Sequence, residues 1–131
     1  MEKSDRYERG WNKFLETQGE AGVQAMERLQ DIAPDLAKYI IEFPYGDVYC
    51  RPGLDLKSKE IAAVAALTAL ANAAPQLKAH IHAALNVGCT RQDVIEVIIQ
   101  MTAFAGFPAA LNGMFAAKEV FEKRDTEKSV Q

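Results

Sequence analysis

Hydrophobic positions recur along this chain at three- and four-residue intervals almost throughout. No stretch alternates apolar and polar residues long enough to suggest a strand, so the pattern predicts an all-α fold. An amphipathic segment around Tyr7 to Thr17 carries Trp11, Phe14 and Leu15, and Gly19 and Gly22 are expected to break it before a second segment from about Val23 to Ile32. Pro34 suits the first turn of a third helix through Leu36, Tyr39, Ile40 and Phe43, which Pro44 and Gly46 should interrupt or kink. Arg51-Pro52-Gly53 reads as a loop, and Asp55 or Ser58 can cap the next helix. That helix, Glu60 to Ala71, is apolar nearly all round and suits a core. Pro75 to Val87 forms another, stopped by Gly88. Thr90 with Asp93 makes a capping-box-like start to a helix that buries Val94, Ile95, Val97, Ile98, Met101 and Ala105 and ends at Gly106. Pro108 restarts a last helix through Leu111, Met114, Phe115, Val120 and Phe121, and the mixed-charge tail from Lys123 reads as a frayed, solvated end.

With 131 residues, 49% of them hydrophobic and 25% charged, the chain is expected to be a single domain, residues 1–131, with one core. The apolar inventory of Ile61 to Ala71 and Val94 to Phe121 exceeds what so small a domain can cover with its own N-terminal helices. Alanines at positions such as 62, 63, 109 and 110 would let helices pack closely, so a homo-oligomer is the natural outlet. The formal charge of −3 carries no basic stripe, which removes the footprint that nucleic-acid binding requires. The opening residues are too polar for a signal peptide and the longest run without a charge or strong polar group, Ile61 to Ala71 with Thr68 inside it, is too short to span a bilayer; a cytoplasmic protein without membrane partners is expected. Cys50 and Cys89 form no Cys-x-x-Cys, which in that setting favours thiols over a disulfide or zinc site.

Candidate chemistry centres on the two histidines. At about 100° per residue, His80 shares an arc with Leu77, Ile81, Ala84 and Val87, whereas His82 falls opposite with Lys78 and Asn86. One imidazole is aimed at the interior or a cleft and the other at water, so the two make no metal clamp. Glu60 opens the greasy helix. It either stays solvated at the positive helix end or is buried as a general acid or base. A turn followed by an antiparallel helix could bring Glu60 and His80 to one pocket. Upstream, Tyr45, Asp47, Tyr49 and Arg51 form a polar cluster in which Arg51 could grip a substrate carboxylate through its fork and a tyrosine such as Tyr49 could donate a hydrogen bond. The plain alternatives are a core histidine, a solvated arginine and tyrosines covering a helix end.

The stretches Tyr45-Gly-Asp-Val-Tyr-Cys-Arg-Pro-Gly-Leu-Asp-Leu-Lys-Ser-Lys-Glu60, Gln76-Leu-Lys-Ala-His80-Ile-His-Ala-Ala-Leu-Asn-Val-Gly88 and Glu96-Val-Ile-Ile-Gln-Met-Thr-Ala-Phe-Ala-Gly-Phe-Pro-Ala-Ala-Leu-Asn112 closely resemble the carboxymuconolactone decarboxylase family. The resemblance covers about Pro34 to Phe121. It implies the all-α fold shared with the alkylhydroperoxidase AhpD, about six helices, an obligate oligomer, commonly a trimer or hexamer, and a site on a glutamate and a histidine, here Glu60 and His80. The peroxidase branch adds a Cys-x-x-Cys whose positions fall here on Ala73 and Gln76, so that pair is absent. The Glu60 to His80 spacing is one residue longer than the family usually shows, which places the extra residue in the Asn72 to Pro75 turn.

For a small-molecule γ-carboxy lactone such as 4-carboxymuconolactone, decarboxylation requires no metal or organic cofactor, because the unsaturated lactone carbonyl can take up the electrons released with carbon dioxide. The protein would hold the carboxylate, stabilise an enolate and deliver a proton. Arg51 or the helix end near Glu60 would stabilise charge, His80 would deliver the proton, and Glu60 would orient His80. Two other classes remain open here: a thiol-dependent peroxidase using Cys50 or Cys89, and a helical oligomer that binds a ligand without catalysis.

Overall fold

The computed structural model describes residues 3–129, and every regular element among them is helical. Two compact units, Met1–Leu56 and Lys57–Gln131, divide the chain.

In the N-terminal unit, helix α1 (Asp5–Glu27) begins at Ser4, whose hydroxyl accepts the Tyr7 amide at 3.1 Å, with Asp5 and Glu8 in the positive first turn. Only one of the two expected glycine breaks occurs. Gly19 kinks the helix at φ 65°, whereas Gly22 stays helical and buried, because a side chain there would strike the Phe14 ring. The helix thus runs on to Glu27 instead of restarting near Val23. Helix α2 (Pro34–Ile40) has proline in its first turn, as the sequence suggests. Pro44 does not end it. The chain passes directly into a π-helical segment, Ile41–Val48, whose wider turns bond each amide five residues back, as in Tyr49 N–H to the Pro44 carbonyl at 2.7 Å. One proline without an N–H is tolerated within such a widened segment.

Helix α1 packs along this segment by direct backbone approach. Gly10 is buried where any Cβ would collide with the Ile41 carbonyl and come within 2.9 Å of the Gly46 nitrogen. Around that contact runs an aromatic ladder: Tyr7 on Trp11 (6.3 Å between ring centres), Trp11 on Phe14 (5.9 Å), Phe14 edge-on to Tyr45 (4.9 Å) and Tyr45 on Tyr49 (4.9 Å). Outside it, Arg6 grips Asp47 with Nε at 3.1 Å and Nη2 at 2.7 Å, which holds the Asp47 carboxyl below its ordinary range.

The C-terminal unit comprises α3 (Leu56–Leu70, starting at the unit boundary), α4 (Ala74–Asn86), α5 (Arg91–Gln100), the single turn α6 (Thr102–Ala105) and α7 (Phe107–Ser129). Its core is Val64, Leu77, Ile81, Val94, Ile98 and Val120. The Thr90 capping box is complete: the Thr90 hydroxyl accepts the Asp93 amide at 3.0 Å and the Asp93 carboxylate accepts the Thr90 amide at 2.8 Å. Gly106, at φ 90°, separates α6 from α7. The α3–α4 turn is closed one residue earlier than expected, by Ala71 in the left-handed region at φ 64°.

The charged tail is not frayed. Helix α7 continues to Ser129, and Arg91 of α5 holds Asp125 through two bonds of 2.6 and 3.2 Å while Lys78 of α4 pairs with Glu119. Tertiary partners for these charges, invisible in a composition-based reading, keep the helix wound.

Gly10→Ala should therefore destabilise the N-terminal unit by about 3 kcal/mol or more, because the obstacle is backbone and not a movable side chain. Chemical denaturation monitored by the fluorescence of Trp11 checks this; an unchanged midpoint would refute the close approach.

Candidate functional site

Helix α3 buries one face, Glu60, Val64 and Thr68, at four-residue spacing. Two members of that face are polar. Thr68 satisfies itself by donating its hydroxyl to the Val64 carbonyl at 2.7 Å. Glu60 has no such local outlet, and its side chain is completely removed from solvent. Burying a carboxylate is costly unless a donor meets it.

The donor comes from α4. Leu77, Ile81 and Ala84 are buried on that helix's inner face, and His80, beside them, is carried to the edge of the core with 19% of its side chain exposed. Its Nδ1 lies 2.9 Å from Glu60 Oε2. The other oxygen, Oε1, is buried with no hydrogen-bond partner among the described residues. A carboxylate with a purely structural task usually collects several donors; this one directs its bonding at a single imidazole. With Nδ1 engaged, Nε2 is the ring atom left to meet a bound molecule.

The helical-phase argument for the two histidines is thus half fulfilled. His80 faces inward as expected, and the meeting with Glu60 that the sequence left as one possibility occurs, but His82 is not simply wet: it is half-buried, with Arg124 Nη1 of α7 at 3.4 Å from its Nδ1 and 3.1 Å from Asn86 Oδ1. Burial and the charges of Arg124 and Lys123 push the His82 imidazole below its ordinary value. This cluster went unpredicted because its cations lie in the tail read as solvated.

Tyr49 and Arg51 belong to the N-terminal unit, Tyr49 half-buried and stacked on Tyr45, Arg51 exposed in the loop after the π-helical segment. Of their neighbours, Tyr45 is buried with its hydroxyl accepting Gln18 Nε2 at 3.2 Å, and Asp47 is taken up by Arg6 and Arg9; both serve the packing of α1. Cys50 is half-buried, its thiol 3.2 Å from the Tyr45 carbonyl, and Cys89 is buried, 3.7 Å from the Lys57 carbonyl. Among the described residues no three His, Cys, Asp or Glu side chains gather into a metal-binding group, and no helix is long and apolar enough to cross a membrane.

Comparison with known proteins bears on this geometry. The profile of the carboxymuconolactone decarboxylase family matches residues 34–119, which include Glu60, His80 and the helices that carry them. The chain belongs to the carboxymuconolactone decarboxylase family. A 4-carboxymuconolactone decarboxylase of Acinetobacter baylyi is 33% identical over 123 residues, covering 93% of this chain and 91% of its own. An uncharacterised 15.0 kDa protein from the nqo9–nqo10 intergenic region of Paracoccus denitrificans is 30% identical over 128 residues, covering 97% of this chain and 91% of its own. Family membership supports a decarboxylase-like, lyase-type activity; it leaves the substrate open.

The His82 cluster yields a pH test. Because its folded-state value is lowered, the unfolded chain binds the proton more readily, so stability is complete above about pH 6.5 and declines as pH falls below it. Thermal melts from about pH 8 to 5 should show a shallower acid decline in His82→Gln than in the parent. Superimposable profiles would overturn the assignment.

Proposed function

We propose that this protein is a cofactor-independent decarboxylase of a γ-carboxy lactone such as 4-carboxymuconolactone, with His80 as proton donor and Glu60 as the group that orients it. The 2.9 Å contact between His80 Nδ1 and the fully buried Glu60 carboxylate carries this reading. The 33% identical Acinetobacter relative, named for that activity, supports the substrate class.

In the proposed step, the bond between the substrate carboxylate and the ring carbon breaks and carbon dioxide leaves. The electron pair passes through the conjugated ring into the lactone carbonyl, giving an enolate. His80 Nε2–H then delivers a proton to ring carbon, and the ring electrons return to make the new C–H bond. Glu60 faces the imidazolium before transfer and fixes its orientation throughout. Because the carboxylate is desolvated and otherwise unpaired, its field acts on the imidazole with little screening. Arg51 and Tyr49 are proposed as substrate-binding residues on their sequence context.

Self-association as a trimer or hexamer belongs to the same proposal. Phe107, Leu111 and Phe115 form a four-residue-spaced stripe on α7, exposed together with Phe104 and Ile99, and a patch of this kind on a small unit favours burial against a copy of itself.

Turnover of 4-carboxymuconolactone should fall by about 10² or more in His80→Ala and stay near the parent in His82→Ala. Glu60→Gln, which keeps the shape and removes the charge, should resemble His80→Ala if the two act as a unit. Equal losses at both histidines, or a parent inactive on any γ-carboxy lactone, would refute the assignment. Replacing Leu111 and Phe115 together by lysine should reduce the mass measured by light scattering to that of a monomer, and a monomeric parent would remove the self-association proposal.

A further inference from the structure

The N-terminal unit contains a cleft of about 530 Å³ that is lined from α1, α2 and the start of the π-helical segment, and by neither Glu60 nor His80. Trp11, Val23, Met26 and Ile41 give it apolar walls. Its charged lining residues Lys3, Glu27, Asp35 and Lys38 are exposed and hydrated; Glu42 is buried. Glu42 Oε2 accepts the Ser4 hydroxyl at 2.6 Å, a neutral donor that satisfies a lone pair without balancing the charge. Arg6, a cation whose field reaches Glu42, is committed to Asp47 through two-nitrogen contact. An apolar cleft with one buried carboxylate, hydrogen-bonded among the described residues to a neutral hydroxyl, is complementary to a positive charge on an apolar frame.

A second observation indicates the same ligand. The ring of Tyr7, another lining residue, already has an ammonium over its face, Lys3 Nζ at 4.6 Å from the centre. Tyr7 stacks in turn on Trp11 with ring planes 6° apart. The aromatic wall thus receives a cation, and the chain's own flexible lysine stands where a ligand's ammonium would sit. We propose that this cleft binds a small hydrophobic monocation, a primary amine on an aromatic or aliphatic body, with Glu42 and the Tyr7 face taking the ammonium and Trp11 and Met26 the apolar part. Binding displaces Lys3 to solvent. The site is separate in chemistry from the pair Glu60–His80 and does not depend on the reaction assigned to that pair.

Trp11 is the chain's single tryptophan and lines the cleft, so its emission reports occupancy directly. The full-length protein is titrated with 2-phenylethylammonium, with the neutral isostere 2-phenylethanol and with the anion 3-phenylpropionate. A saturable change is expected with the ammonium, at least about tenfold tighter than with the alcohol. Glu42→Gln should erase that preference. Lys3→Ala, an exposed truncation that removes the internal competitor, should tighten ammonium binding, and this arm stands even if the buried Glu42 substitution fails to fold. His80→Ala should bind like the parent. No saturable change up to about 10 mM ammonium, equal affinity for the alcohol, or tighter binding of the anion through Lys3 and Lys38 would overturn the proposal.

Discussion

The C-terminal unit is organised around one costly act, the burial of the Glu60 carboxylate. Desolvating such a charge costs several kcal/mol, and a single hydrogen bond from His80 offsets only part of it. A hydrophobic residue in that position would pack the face of α3 more favourably. The arrangement therefore constrains its surroundings: α4 must present His80 at the core edge, and Leu77 and Ile81, buried on the same helix, fix the rotation that does so. Gly113 on α7 leaves room for the Thr68 methyl, with an added Cβ lying 2.9 Å from it, so the buried face of α3 is held closely at Thr68.

The N-terminal unit solves a different problem. Its helices are brought together by backbone approach at Gly10 and by the chain of stacked rings from Tyr7 to Tyr49, and its ion pairs lie outside, at Arg6 and Asp47. The π-helical segment lets the chain continue past Pro44 in helical form and so places Tyr45 against Phe14 and Glu42 toward Ser4. One widened segment thereby supplies both the aromatic packing and the buried acid of the cleft.

Family and reaction are decided at different levels. The match over residues 34–119 and the relative 33% identical over nearly the whole chain place the protein in its family. Ala73 and Gln76 stand at the positions where the resemblance implies that the peroxidase branch carries its cysteine pair. The C-terminal unit carries an imidazole backed by a buried carboxylate, an arrangement suited to moving a proton.

Helix content, the Thr90 cap and the inward face of His80 were legible in the sequence because each rests on local physics: spacing at 3.6 residues per turn, a side chain reaching its own helix end, and apolar neighbours on one arc. The pairing of Glu60 with His80 was legible as a possibility only, since the turn between α3 and α4 had to bring them together, and it does so with Ala71 in a left-handed conformation that no residue preference announces. The errors share one cause. Gly22 serves packing against Phe14 instead of breaking α1, Pro44 is absorbed by widened turns, and Lys123 to Ser129 stay helical while Arg124 covers His82 and Asp125 meets Arg91. In each, a local preference of less than a few kcal/mol is outweighed by a contact with residues distant in sequence, and such contacts exist only once the tertiary structure has formed.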